Sequence, residues 1–537
     1  MDLFFATAPV VLLVYLMGKP SSMPSQRALP LVALVMYFVR LIYFADEPNL
    51  IHATVVQGLL SAIVPISIIA GAIFLFRVME ATGAMGRIRI WLNTISENQV
   101  AQLMIVGWAF SFLIEGASGF GTPAALAGPI LVGLGHPAFR VAIFCLVMNS
   151  VPVSFGAVGT PTWYGFAPVV EALEPAARAA LLTDVGIKSV ILHGAASLVI
   201  PFFAVVVAVG WKAARANLIY IYLSVAACVV PYVALGFFSY EFPSLIAGMI
   251  GFALSITFAS KGLGLAPSER SSEVSVEAEA KPGSETGLVK AFFPLWGTVL
   301  ILLLTRIPNL GIKPLLTSTV DWVSATLGSL GRLSLSPSLV VSVDEIFATP
   351  VSWSYQILYV PALIPFILIS LITLAIYKTP RNQTRDAIGR TAKMMVKPSL
   401  ALLGALVYVR LVMMGEERSS AYIIGTSLAA ATGEQWQFLA PFLGAIGSFF
   451  SGSATISNLT FGSIQYSVAE TLGLSASTVL ALQSVGASMG NMVCVNNIVA
   501  ICSILGISQD EGRILRLNII PMFLYGLIVI TTAFILY

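Results

Sequence analysis

Charge is what this chain has least of. Of its 537 residues only 10% are Asp, Glu, Lys or Arg, against 58% hydrophobic, and its 28 basic side chains nearly balance 25 acidic ones. A soluble enzyme of this length is not covered by so little charge, and nothing in the balance points to nucleic acid. Histidine is scarcer still, at three, and the four cysteines, Cys145, Cys228, Cys494 and Cys502, lie in apolar segments without CxxC spacing or a nearby histidine cluster. They read as small core residues rather than disulfides or metal ligands, so no metal and no cofactor are expected. No HExxH, no phosphate-binding P-loop and no nucleophile with a positioned base occurs, which leaves membrane-protease and nucleotide-driven-pump readings without support. The N-terminus lacks a basic region and a small-residue cleavage site, so its first apolar run is expected to stay as an anchor.

What the chain has is apolar length. Runs near 3–17, 29–45, 51–79, 138–170, 186–210, 217–238, 242–259, 291–305, 355–377, 398–413, 475–506 and 515–537 suggest about twelve spans of a lipid bilayer. Polar, glycine-rich stretches interrupt this pattern. The first is Glu115-Gly-Ala-Ser-Gly-Phe-Gly-Thr-Pro123. Each unpaired backbone group in hydrocarbon costs several kcal/mol, so a break there survives only where protein covers it or it lines a wet cavity. About 14 apolar residues precede it and reach roughly 21 Å, short of a 30 Å hydrocarbon core, which reads as a re-entrant hairpin over 99–135. Ser451-Gly-Ser-Ala-Thr-Ile-Ser-Asn458 has the same design and places a second hairpin over 436–474.

Basic residues set the orientation. Lys378, Arg381, Arg385, Arg390, Lys393 and Lys397 face the single acid Asp386 in the connection 378–397, which is therefore expected in the cytoplasm. Threading outward from it puts Asp46, Glu47 and the segment 171–184 outside, both termini outside, and the two hairpins on opposite entry sides. That is the pattern of inverted-topology repeats. The chain then divides into scaffold helices 1–50, a first repeat 51–210 with a broken helix 138–170, connecting helices 211–397 and a second repeat 398–537 with a broken helix 475–506. The connecting part holds a polar cytoplasmic loop 260–290 and an external segment 306–354, whose short apolar run from Leu339 to Val343 is too brief to assign to helix or strand.

Half-helix N-termini, hydroxyls and amides are what a small carboxylate needs. The candidate substrate residues are Gly116, Ser118, Gly119 and Thr122 at the first tip, and Ser451, Ser453, Thr455, Ser457 and Asn458 at the second. The broken spans add Asn149, Ser154, Thr160, Asn491, Asn496 and Asn497. The plainer alternative is that these side chains satisfy backbone groups or glue helices together. Glu115 is the one acid in either tip; an ionisable group at that depth is a functional hypothesis, and Glu115 is the candidate for proton coupling. Arg40, Arg77 and Arg410 are expected to snorkel to an interface, and His52 and His193 to be packed core or interface residues rather than proton relays.

The runs Glu115 to Ala125, Asn149-Ser-Val-Pro-Val-Ser-Phe-Gly-Ala-Val-Gly159, Gly447-Ser-Phe-Phe-Ser-Gly-Ser-Ala-Thr-Ile-Ser-Asn458 and Gly490-Asn-Met-Val-Cys-Val-Asn-Asn497 resemble the signature runs of the lactate permease family, over nearly the whole chain. The resemblance implies a secondary transporter of the bacterial cytoplasmic membrane that imports L-lactate, D-lactate or glycolate with protons, its site formed by the tip and broken-span residues. Against the family's pattern, Ala454 stands where an acid is expected and Asn491 where a lysine is expected. The expected fold is an all-α polytopic membrane protein of about twelve spans plus two re-entrant hairpins in inverted-topology repeats, with a hairpin-bearing bundle moving against a scaffold. Its expected partners are a small carboxylate, a proton and the bilayer, with an oligomer left open. A sodium-coupled carrier of another organic anion remains the main alternative, ahead of a membrane enzyme or an anion channel.

Overall fold

A computed structural model describes residues 1–18, 23–92, 94–119, 122–267, 287–306, 310–360, 363–507 and 510–537; most of the polar loop 260–290, and the side chains of Ser118, Thr122 and Asn496, lie outside the described residues. Helix dominates. Nine described helices are long and apolar enough to cross a bilayer, ten when the bent pair Ala138–Met148 and Val153–Val170 is taken as one span, and four shorter apolar helices accompany them. The chain falls into two compact units: Met1–Met85 with Gly287–Ala431, and Gly86–Thr286 with Thr432–Tyr537.

The first unit is built on the 33-residue helix Arg381–Met413. Its N-terminal half is the basic connection expected as a loop at 378–397; the exposed Lys and Arg side chains lie on a helix that continues through Pro398 into the apolar span. Gly404 lets this helix meet the one at Ser25–Phe38 closely, since a Cβ there would stand 2.3 Å from the Pro30 nitrogen. Arg40 does not snorkel. It is fully buried, donating from Nε to the Leu411 carbonyl at 2.9 Å, from Nη1 to the Arg418 carbonyl and the Asp46 carboxylate, both at 3.2 Å, and from Nη2 to the Met414 carbonyl. It thus satisfies carbonyls that the end of the long helix leaves open, a job a guanidinium's five donors suit better than a capping hydroxyl. Arg77 pairs with Glu80 and is partly exposed, Arg410 reaches Ser61 Oγ at 3.5 Å, and His52 meets Tyr37 on the exposed side.

Residues 310–360 add a sheet to this helical unit. Strands β1 (Val323–Thr326), β2 (Arg332–Leu335), β3 (Val340–Asp344) and β4 (Trp353–Gln356) form an antiparallel meander in sequence order. The unassigned run 339–343 is therefore mostly β3, its β-branched valines pairing Val341 with Tyr355 and Val343 with Trp353. Tyr355 Oη to Ser67 Oγ and Gln57 Nε2 to the Ser352 carbonyl, both 2.8 Å, tie the sheet to the span Pro48–Ala81.

The second unit holds both hairpins and both broken spans. The first arm of hairpin one, Gln99–Ala117, is 19 residues and longer than the apolar run alone implies, because it starts at the Asn98 cap and passes through a π-helical stretch, Leu103–Phe110. Its second arm, Thr122–Gly133, has 12 residues, about 18 Å and too short to cross. Hairpin two runs Trp436–Ser451 and Ala454–Leu472. It packs on Ala476–Gly490 with very little side chain between: a Cβ on Gly486 would stand 1.9 Å from the Pro441 carbonyl oxygen, and one on Gly490 2.5 Å from that of Ala445. Small residues four apart allow such an approach, the usual solution where lipid offers no hydrophobic driving force between helices. The expected span 186–210 is instead two helices, Pro175–Ala196 and Ile200–Val209, with Pro201 just inside the start of the second, where its missing N–H costs nothing.

Candidate functional site

Four chain breaks meet at one pocket. Glu115 and Gly119 come from the first tip, Val153, Gly156, Ala157 and Pro161 from the first broken span, Gly452, Ser453, Ala454 and Thr455 from the second tip, and Asn491 from the second broken span. Together they line a small, partly open pocket.

Local sequence explains each wall. Gly119, at φ 63°, ends the first arm in a conformation open to glycine, and leaves Glu115 in the last helical turn. Glu115 is 2% exposed and accepts a hydrogen bond from Asn149 Nδ2 at 3.1 Å on Oε2. Its Oε1 sits beside Gly156, where a Cβ would come within 2.6 Å. The broken span then turns left-handed over Ala157, Val158 and Gly159, at φ 43°, 57° and 73°. Two of these are not glycine, and Val158 is β-branched, so the turn stores roughly 2–4 kcal/mol that the surrounding packing must hold. In the second tip Gly452, at φ 74°, closes the first arm of hairpin two, and Ser453 caps the second by accepting from Ile456 N at 3.3 Å. The pocket is therefore lined both by the positive N-terminal end of Ala454–Leu472 and by a single carboxyl group. Glu115 is the sole ionisable side chain among its lining residues.

A family model described as L-lactate permease matches residues 2–537. The chain belongs to the L-lactate permease family. A Haemophilus influenzae protein provisionally named an L-lactate permease is 47% identical over 520 residues, covering 97% of this chain and 96% of its own. The Bacillus subtilis L-lactate permease is 27% identical over 497 residues, 88% of this chain and 84% of its own. The Escherichia coli glycolate permease GlcA is 25% identical over 489 residues, 86% and 82%. The family and the apolar helices make this permease a transporter and a multi-pass protein of the cytoplasmic membrane.

Of the residues singled out from sequence, the permease brings Glu115, Gly119, Ser453, Thr455 and Asn491 to the pocket. Others turn out to be structural. Gly116 is a packing glycine, since a Cβ there would lie 2.4 Å from the Leu245 backbone nitrogen. Thr160 donates to the Ala157 carbonyl at 2.5 Å and so braces the left-handed turn. Ser451 donates to the Gly447 carbonyl at 2.7 Å, Ser457 to that of Gly444 at 2.7 Å, and Asn458 to that of Pro161 at 2.9 Å. Asn149 orients Glu115, and Asn497 donates to Asn491 Oδ1 at 3.1 Å, so both stand one step behind the lining. Ser154 is fully buried among serines and His193.

Sequence reasoning passed over Gly156 and Ala157 as lining and over Gln465 and Gln483 as buried polar groups. The amides had a readable signal, being uncharged polar side chains inside long apolar runs. The lining glycine and alanine had none, because what they contribute is the absence of a side chain.

Proposed function

We propose that this permease is a secondary transporter that imports small 2-hydroxy monocarboxylates, lactate and glycolate among them, together with protons. The observation that carries this reading is the convergence of all four polar breaks on one small pocket lined by both a helix N-terminus and one buried carboxyl group. A substrate carboxylate directed at the first backbone N–H groups of Ala454–Leu472, which have no partner within their own helix, would be stabilised by them and by the helix dipole. Asn491 offers an amide to the 2-hydroxyl. A charged Glu115 opposes a second negative charge in the same pocket and a neutral one does not, so proton and anion favour each other's presence, which is symport. No lysine or arginine lines the pocket among the described residues, which favours a monocarboxylate over a di- or tricarboxylate. The names of the Bacillus subtilis and Escherichia coli relatives, for L-lactate and for glycolate, agree with that class.

The two-repeat reading is supported by where the compact units divide. The spans 51–79 and 398–413, which open the two repeats, fall in the first unit, while each repeat's hairpin and broken span fall in the second. The test is uptake of labelled L-lactate and glycolate by the purified protein in proteoliposomes, under an imposed pH gradient, a sodium gradient or neither. Uptake driven by the pH gradient is expected. Uptake that follows sodium alone, or no uptake of either acid, overturns the reading.

A further inference from the structure

Behind the pocket wall, the second unit holds a run of buried polar side chains that the transport reading does not use. The Trp436 indole donates to Gln465 Oε1 at 2.8 Å, and Gln465 Nε2 donates to the Ala440 carbonyl and to Gln483 Oε1, both at 2.9 Å. Gln483 Nε2 donates to Ser457 Oγ at 3.1 Å and to Asn458 Oδ1 at 3.3 Å. Asn458 Nδ2 donates to the Pro161 carbonyl at 2.9 Å and reaches Ser484 Oγ at 3.5 Å, and Ser484 donates to Ser154 Oγ at 3.0 Å. An indole N–H only donates and a carbonyl only accepts, so both ends of the series dictate which way every amide faces.

A second series reaches Ser154 from the other side. Tyr525 Oη meets His193 Nδ1, and His193 Nε2 lies 2.8 Å from Ser154 Oγ. Tyr525 and His193 are both fully buried, and Tyr525 Oη has no other hydrogen-bond acceptor among the described residues. A buried hydroxyl proton left without an acceptor is costly, so the phenol donates to Nδ1 and the ring proton sits on Nε2, donating to Ser154. Ser154 then accepts twice, and its own proton goes to Ser488 Oγ at 2.9 Å, whose proton goes to the Ser484 carbonyl at 3.0 Å. Every proton has one place, and Ser154 Oγ has nothing left to offer a substrate. Thr162 Oγ1 also holds the Ser154 carbonyl, at 2.7 Å, and Val153 and Pro161, on either side of this junction, line the pocket.

We propose that His193 is a positioning residue of the transport site. As the Nε2–H tautomer it donates to Ser154 and thereby holds the turn from Val153 to Pro161 that forms one wall of the pocket. The inference rests on that pocket being the substrate site.

Two measurements on the full-length reconstituted protein test it. The first is nitrogen-15 NMR of histidine-labelled protein, with the His193 signal assigned by its loss in His193→Gln; a protonated Nε2 and a bare Nδ1 are expected. The second is the KM and maximal rate of lactate uptake for the native chain, His193→Gln and His193→Leu. Leucine removes the donor to Ser154, and KM is expected to rise about tenfold, roughly the worth of one buried hydrogen bond, with a smaller change in maximal rate. Glutamine can still donate, and its KM is expected within about threefold of the native value. A proton on Nδ1, or equal KM values for the two variants, overturns the proposal. If His193→Leu does not fold, the NMR signature and the glutamine variant decide. Absence of lactate uptake by the native chain sinks the substrate reading instead, and the tautomer still decides the hydrogen-bond arrangement.

Discussion

The two hairpins are built alike but bring opposite ends of a helix to the pocket. Hairpin one brings the end of a helix to the pocket, with the carboxyl group of Glu115 in its last turn and Gly119 closing it. Hairpin two brings the beginning of a helix, capped by Ser453, with Ala454 and Thr455 next to it and no acid at the tip. Where the family resemblance leads one to expect a second acid, Ala454 instead packs with Val153 and Ala487. In the proposed reading, hairpin one holds the proton and hairpin two the anion, and a single pocket joins them.

The largest expected effect comes from Glu115→Gln, which removes the titrating group while keeping the hydrogen bond to Asn149. With an imposed gradient of about two pH units, worth about 1.4 kcal/mol per unit, lactate accumulation should fall by about a hundredfold, while exchange of internal for external lactate persists. A variant that still accumulates lactate against its gradient removes the distinction between the hairpins. Next is Gly156→Ala, whose methyl would press on Glu115 Oε1 from 2.6 Å. Relief of that contact by shifting Glu115 or the strained turn should cost about 1–3 kcal/mol, read as a rise in KM of about five- to 150-fold with the protein still folded. Normal transport in that variant would mean that the carboxyl group does not work from its present place.

Ala454→Asp sharpens the comparison by giving hairpin two an acid of its own. A second carboxylate in the anion half of the pocket should raise the KM for lactate about tenfold at neutral pH, with partial recovery as the pH falls and the new acid protonates. An unchanged KM would place the substrate carboxylate elsewhere. The smallest effect is expected from Ser453→Ala, which loses the helix cap. About 1 kcal/mol, or roughly a fivefold rise in KM, is the usual scale for such a cap, and a loss of proton coupling rather than affinity would contradict the assignment of roles.

Much of this was legible in the chain order of residues. Runs of apolar residues long enough for a bilayer announce helices, because a lipid solvent leaves no other way to satisfy the backbone. Polar, glycine-bearing breaks inside such runs announce a site for the same reason, and Glu115, Gly119, Ser453, Thr455 and Asn491 were all found that way. Where the reading went astray, it did so through side chains whose partners lie far along the chain. Arg40 looks like an interfacial cation until the end of a helix some 370 residues later, with its carbonyls at Leu411, Met414 and Arg418, is folded around it. Ser154, Ser457 and Asn458, candidate substrate ligands by their place in the chain, have their donors on Ser488 Oγ and the Gly444 and Pro161 carbonyls.

From the order of residues alone follow a helical chain, its place in a membrane and four polar interruptions, because hydrocarbon penalises unpaired polar groups wherever they stand along a chain. Only the tertiary structure decided which of the polar side chains at those interruptions face a shared pocket and which are already spent on one another. A donor or acceptor has few hydrogen bonds to give, and which groups receive them depends on what folding brings within about 3 Å.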